Sequence, residues 1–145
     1  MKRRTLLKSI PVAAMFPATL WAAASLKEGA MPAGTTVYEL RFYHIAPGKQ
    51  AELLARFRDH TLALFAKHGM KTLFFSVPSD EPLKSDSLVY VLEHPSREAA
   101  AANWKDFQAD PEWQSVKAKS EANGKLVEKV DSTYLTPTDF SPTPR

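Results

Sequence analysis

The chain contains no cysteine, which excludes disulfides, thiolate metal sites and a cysteine nucleophile. Glycine is scarce, with five in 145 residues, and none sits in a G-x-G-x-x-G or P-loop pattern, so no loop is built to cradle a nucleotide phosphate. The nucleophile elbow G-x-S-x-G is missing as well, and no repeat of solenoid period or low-complexity tract occurs. Nor is there a true excess of positive charge. The formal net charge is +3, but Lys2, Arg3, Arg4 and Lys8 fall within the first 24 residues, where no acid occurs, and the remainder carries 15 basic residues against 16 acidic ones. Without a net positive field no nucleic acid is expected as a partner. The composition is 44% hydrophobic and the length is that of a single domain.

A long hydrophobic run is also lacking. Residues 1–24, MKRRTLLKSIPVAAMFPATLWAAA, have a charged start, an apolar stretch interrupted by Pro11 and Pro17, and a small-residue ending, which is the order of a signal peptide. The apolar part falls short of the roughly 20 residues of a membrane-spanning helix, so no stable membrane anchor is expected after cleavage. Arg3-Arg4-Thr5-Leu6-Leu7-Lys8 is similar to the twin-arginine export signal, an ordinary secretory leader being the alternative. Ala22-Ala23-Ala24 fits a small-x-small cleavage site, and residues 25–35 then read as a flexible leader to a domain spanning 36–142. The expected location is periplasmic or secreted.

Val37 to Ile45, VYELRFYHI, is β-branched or aromatic at most positions and stops at Ala46-Pro47-Gly48, the pattern of a strand. Lys49 to His68 places Leu53, Leu54, Phe57, Thr61, Leu64, Phe65 and His68 on one stripe, with Glu52, Arg56, Arg58, Asp59 and Lys67 mostly elsewhere, and predicts an amphipathic helix closed by Gly69. Lys71–Val77 and Leu88–Glu93 predict two more strands around a polar loop. Ser96 can cap a helix through Ala99–Ala102, Trp104 and Phe107, and Asp110-Pro111-Glu112 restarts one that reaches about Asn123-Gly124. Leu126 to Leu135 supplies a fourth strand, and Pro137, Pro142 and Pro144 make the tail an irregular arm. The order βαββαβ is the ferredoxin-like split pattern, so the expected fold class is α+β with an antiparallel sheet. In Leu88–Glu93, and in Leu73, Phe75 and Val77 against Thr72, Phe74 and Ser76, both sheet faces carry apolar side chains. Right-handed crossovers put both helices on one face, which leaves the other to be covered by a second copy.

The pieces Tyr38-Glu39-Leu40-Arg41 with Tyr43, Pro47-Gly48-Lys49, His68-Gly69, Ser96-Arg97-Glu98, Trp104 with Phe107, Asp110-Pro111-Glu112-Trp113-Gln114 and Phe140-Ser141-Pro142 occur in an order and spacing that resembles the NIPSNAP family of the dimeric α+β-barrel superfamily. In the third strand, where many relatives carry a tryptophan, this chain reads Val91-Leu92-Glu93-His94. The resemblance implies a homodimer whose two four-stranded sheets form a barrel with helices outside. It does not imply one reaction, since the superfamily includes cofactor-independent oxygenases, haem-degrading enzymes and isomerases, and fold alone does not carry function.

Strand alternation puts Val37, Glu39, Arg41, Tyr43 and Ile45 on one face and Tyr38, Leu40, Phe42 and His44 on the other. Glu39 and Arg41 are close enough for an ion pair, and Tyr43 adds a phenol in line. The row can hold a carboxylate, or polarise a carbonyl or enol of a small aromatic or lipid-like ligand; a structural pair at a dimer seam is the alternative. His68 reads either as a capping histidine at a helix C-terminus or as a general base or haem ligand. His44 and His94 end strands and could face a cavity mouth, but without converging partners no metal site is expected. Trp104, with Phe107 and Trp113, can stack on a flat ligand, although aromatics at helical spacing commonly belong to a core. The ligand-binding candidates are therefore Glu39, Arg41, Tyr43, His68 and Trp104, with no cofactor expected and haem as the alternative. The expected function is an exported homodimer that binds a small hydrophobic or aromatic ligand; the competing one is a cofactor-independent monooxygenase or isomerase.

Overall fold

A computed structural model describes residues 36–142. The expected signal peptide at 1–24, the leader at 25–35 and Pro144 in the tail lie outside the described residues. In chain order the elements are β1 (Val37–Ile45), α1 (Gln50–Arg56), a π-helical turn (Phe57–Thr61), α2 (Leu62–Lys67), β2 (Lys71–Ser76), β3 (Ser87–His94), α3 (Arg97–Ala109), α4 (Pro111–Ser120) and β4 (Val127–Leu135). The local signals explain the boundaries. The Ser96 hydroxyl accepts from the Ala99 N–H at 3.1 Å to start α3, and the Asp110 carboxylate accepts from the Glu112 N–H at 2.8 Å while Pro111 occupies the first position of α4. Gly69 ends the first helical unit at φ +69°, a left-handed conformation that costs glycine nothing.

The strands form one antiparallel sheet in the order β2-β3-β1-β4. The fold is thus the α+β, ferredoxin-like arrangement expected. Register decides what meets what: Glu39 lies opposite Leu92 and Tyr134, Arg41 opposite Tyr90 and Ser132, and Tyr43 opposite Leu88 and Val130. The helices cover the face that carries these residues. There Leu88, Tyr90 and Leu92 pack with Leu53, Phe57, Phe65 and Phe107 into the core.

Two local irregularities depart from the sequence expectation. The helix expected to run unbroken from Lys49 to His68 contains the π turn, across which the Thr61 hydroxyl donates to the Arg56 carbonyl at 3.2 Å. One extra residue sets the second half of the helix back by about 100° and brings the apolar stripe of Leu64 and Phe65 round to include Arg56. Arg56, expected on the polar side, is accordingly buried. In β2, Thr72 pairs with Leu92 and Phe74 with Val91, leaving Leu73 as a bulged residue between them. Leu73 therefore joins Phe74 on the outer face instead of sharing the inner face with Phe75, because one unpaired residue shifts the alternation.

The centre of the outer face is apolar, and no helix residue lines its cleft. Residues 136–142 lie over part of it, and beneath them is a cleft of about 570 Å³ lined by Tyr38, Leu73, Phe74, Val91 and Leu135. Phe74 remains 52% exposed there.

Candidate functional site

The inner face of β1 carries a carboxylate that is almost wholly buried. Glu39 Oε1 accepts from Arg41 Nη1 at 2.8 Å and from the Ser132 hydroxyl at 2.7 Å; Oε2 accepts from Trp104 Nε1 at 2.6 Å and from His94 Nε2 at 3.0 Å. Four donors fill the acceptor positions of an ionised carboxylate. Burial pushes the Glu39 carboxyl up, but the bonds from His94, Ser132 and Trp104 and the Arg41 charge outweigh it and hold it at about 2. Facing an acceptor-only group, His94 carries its proton on Nε2, and its Nδ1 is buried without a partner. Glu39 is thus an anchor, with no lone pair left to hold a ligand.

What it anchors is Arg41. The guanidinium lies over the Trp104 ring at 4.1 Å and beside the Tyr43 ring at 5.7 Å, while its Nε is buried and unpartnered. Burial lowers the tendency of Arg41 to stay charged, and the neighbouring Tyr43, Tyr90 and Glu39 more than restore it. The Tyr43 hydroxyl is 2.8 Å from that of Tyr90, which is wholly buried.

Arg41, Tyr43 and Trp104 open into a cleft of about 590 Å³ between the β1–β4 side of the sheet and helices α3 and α4. Trp104, Phe107 and Trp113 contribute aromatic surface to it, with successive ring centroids 5.6 and 4.5 Å apart. Arg56 also lines it, its Cζ 5.2 Å over the Trp113 ring and its Nη1 bonded to Glu121 Oε1 at 3.1 Å.

The structure thus brings together Glu39, Arg41, Tyr43 and Trp104 and leaves His68 apart. His68 Nε2 is 2.7 Å from Asp110 Oδ2, which Lys67 Nζ also reaches at 2.7 Å. The Lys67, His68 and Glu112 N–H bonds pull the Asp110 carboxyl well below its usual range. His68 ties the end of α2 to the start of α4 and does not line the cleft, so it is not placed to ligate a haem there. His94, expected at a cavity mouth, is instead completely buried against Glu39. His44 is on the outer face, 2.7 Å from Asp131. Among the described residues no group of three or more His, Cys, Asp or Glu is placed to hold a metal.

Sequence reasoning missed Arg56, Trp113's partner across the cleft, because the π turn that buries it has no periodic signature. It missed Ser132 and His94 as Glu39 donors and Tyr90 as the partner of Tyr43, since these depend on strand register. Tyr90 and His94 do share the two-residue period of Leu88 and Leu92, which is the one signal that placed them on a common face.

The fold places the chain among α+β proteins with a ferredoxin-like antiparallel sheet. The NIPSNAP family model matches residues 38–142, and the chain belongs to the NIPSNAP family. It is similar to a solved NIPSNAP-like domain protein from Burkholderia xenovorans at 21% identity, covering 77% of this chain and 93% of that one with a TM-score of 0.66. A NIPSNAP family protein from Agrobacterium tumefaciens is 26% identical over 74% of this chain and 98% of its own, with a TM-score of 0.65. A second Burkholderia xenovorans NIPSNAP domain protein is 24% identical, covering 74% and 99% of the two chains, with a TM-score of 0.62. No curated protein sequence matches the chain.

Proposed function

We propose that this protein is an exported homodimer that binds a small aromatic or hydrophobic ligand in the cleft between β1–β4 and helices α3 and α4. The observation that carries the reading is Arg41, clamped by Glu39, stacked on Trp104 and open to a cleft whose wall is aromatic. Sites of this kind are concave and mostly apolar with a few fixed polar groups. The volume of about 590 Å³ fits one small molecule. The competing reading, a cofactor-independent monooxygenase or isomerase, asks for a base at the cleft. Glu39, the carboxylate beside Arg41, has its acceptor positions filled by four donors, which favours binding. The outer face supports the dimer, because Phe74 and Leu135 stand exposed around an apolar centre that a second copy would cover. Export rests on the paired arginines before Leu6-Leu7-Lys8. No helix of the described residues is long and apolar enough to cross a membrane.

Native mass spectrometry of periplasmic protein tests the reading directly. The expected result is a dimer mass with a retained small molecule that disappears in Trp104→Ala. A monomer, or a ligand-free dimer under every growth condition, rejects it. Replacing Arg3 and Arg4 together by Lys keeps the charge and is expected to stop twin-arginine export; undiminished periplasmic accumulation points to the ordinary secretory route.

A further inference from the structure

Given a ligand in the β1–β4 cleft, as proposed above, the groups at the cleft floor also specify its chemical class. Two hydrogen-bond donors line that part of the cleft. One is the guanidinium of Arg41, which has no acceptor atom of its own. The other is the phenol of Tyr43, whose hydroxyl has the Tyr90 hydroxyl as its partner among the described residues. Between two hydroxyls only one donates. Tyr90 is wholly buried and has no other partner for its proton, and a buried O–H left unpaired costs about 1 to 3 kcal/mol. Tyr90 therefore donates to Tyr43, and Tyr43, which lines the cleft, keeps its own proton to donate into it. Burial meanwhile pushes ionisation of the Tyr90 phenol well above its usual range, so this donor stays protonated.

Among the described residues no side-chain acceptor is bonded to the Tyr43 proton, and Arg41 bonds only Glu39. Glu39 is saturated, and the other charged residues of the cleft are Arg56, Lys117, Lys125 and Lys129 against Glu121 and Glu128, a cationic surplus. The Trp104, Phe107 and Trp113 rings offer stacking surface to a flat body. We propose that this end of the cleft is an oxyanion site, which takes a flat aromatic ligand in its phenolate or enolate form with the charged oxygen between the Tyr43 hydroxyl and the Arg41 guanidinium. Preference for the anion means that a hydroxyarene bound there gives up its proton to solvent at lower pH than it does free, by one pH unit for each tenfold preference.

The test titrates the full chain, as purified, with 7-hydroxycoumarin, 2-naphthol and 9-phenanthrol, each beside its methyl ether, which cannot ionise. The expected result is that at least one hydroxyarene, at a pH above its free pKa, binds about tenfold or more tightly than its ether and, across a pH titration, shows its anion absorption band about one pH unit below the free compound, the two being the same free energy. Tyr43→Phe is expected to shrink the band shift. Since that change orphans the Tyr90 proton, the double variant Tyr43→Phe with Tyr90→Phe, which leaves none, is measured with it and is expected to show the same loss while still binding the ether. Equal binding of hydroxyarenes and ethers with no anion band overturns the oxyanion site and leaves the ligand cleft standing. Failure of every arene and ether to bind protein with intact circular dichroism overturns both.

Discussion

The two faces of β1 solve the burial problem in opposite ways. On the inner face Glu39 and Arg41 are covered by helices, and the charge survives because four donors converge on one carboxylate. On the outer face Leu40 and Phe42 meet Val91 and Val89 of β3, an apolar centre flanked by Glu93 on β3 and by Asp131 and Thr133 on β4, with only a short arm over part of it. The Glu39 carboxylate is satisfied within one chain, whereas the outer face exposes Phe74 and Leu135 and asks for a cover. A buried charge has to bring its partners with it, because a missing donor is costly. An apolar face can wait for a second molecule, because any complementary apolar surface will serve.

The contrast is broken most severely at the carboxylate. Glu39→Gln turns an amide NH₂ toward donors that need an acceptor and leaves Arg41 without its counter-charge; a loss of about 3 to 5 kcal/mol is expected in chemical denaturation. An equal loss on the outer face would mean that both faces are finished within the monomer. There Phe74→Asp is expected to leave the fold of one copy nearly intact, since Phe74 is already half exposed, but to weaken the proposed dimer at least about hundredfold in sedimentation analysis, or about 3 kcal/mol. Acid sharpens the contrast. The Glu39 carboxyl is held at about 2 against an ordinary 4.5, so its contribution is complete above pH 4.5 and is lost as pH falls toward 2. Equilibrium unfolding across that window is expected to show a decline on the order of 2 to 3 kcal/mol that Glu39→Gln lacks. Smallest is Ser132→Ala, which removes one of four donors from the carboxylate and is expected to cost about 1 kcal/mol with the ligand cleft unchanged.

Much of this contrast is legible in the residue pattern. Alternation along VYELRFYHI separates the charged row from the apolar one, and Ser96 and Asp110-Pro111 mark the helix starts where the caps are found. Glu39, Arg41 and Tyr43 sit in line because they share a strand, so their association needs only a two-residue period. Trp104 is legible as an aromatic on a helix face, but its indole proton on Glu39 is not. His68 misleads because its place at a helix end fits both a cap and a cleft, and only packing shows that it bonds Asp110. Arg56 and Leu73 fall on unexpected sides for one reason: a π turn and a bulge each insert a residue into an otherwise regular period, and a periodic reading carried across the insertion misaligns the residues on its two sides.

Element order, the caps, the two faces of β1 and the family are all written in the chain, because they are properties of sequence neighbours and of motif spacing. Packing set which group stands beside which. Glu39 receives bonds from Arg41 on its own strand, His94 on β3, Trp104 on α3 and Ser132 on β4, and these meet through strand register and helix docking. The same pairing sets Tyr90 under Tyr43 and so turns the Tyr43 proton toward the cleft. The physical reason is range. Backbone periodicity is set within a few residues, but the desolvation of a charge and the direction of a shared proton depend on groups that only the folded packing brings within about 3 Å.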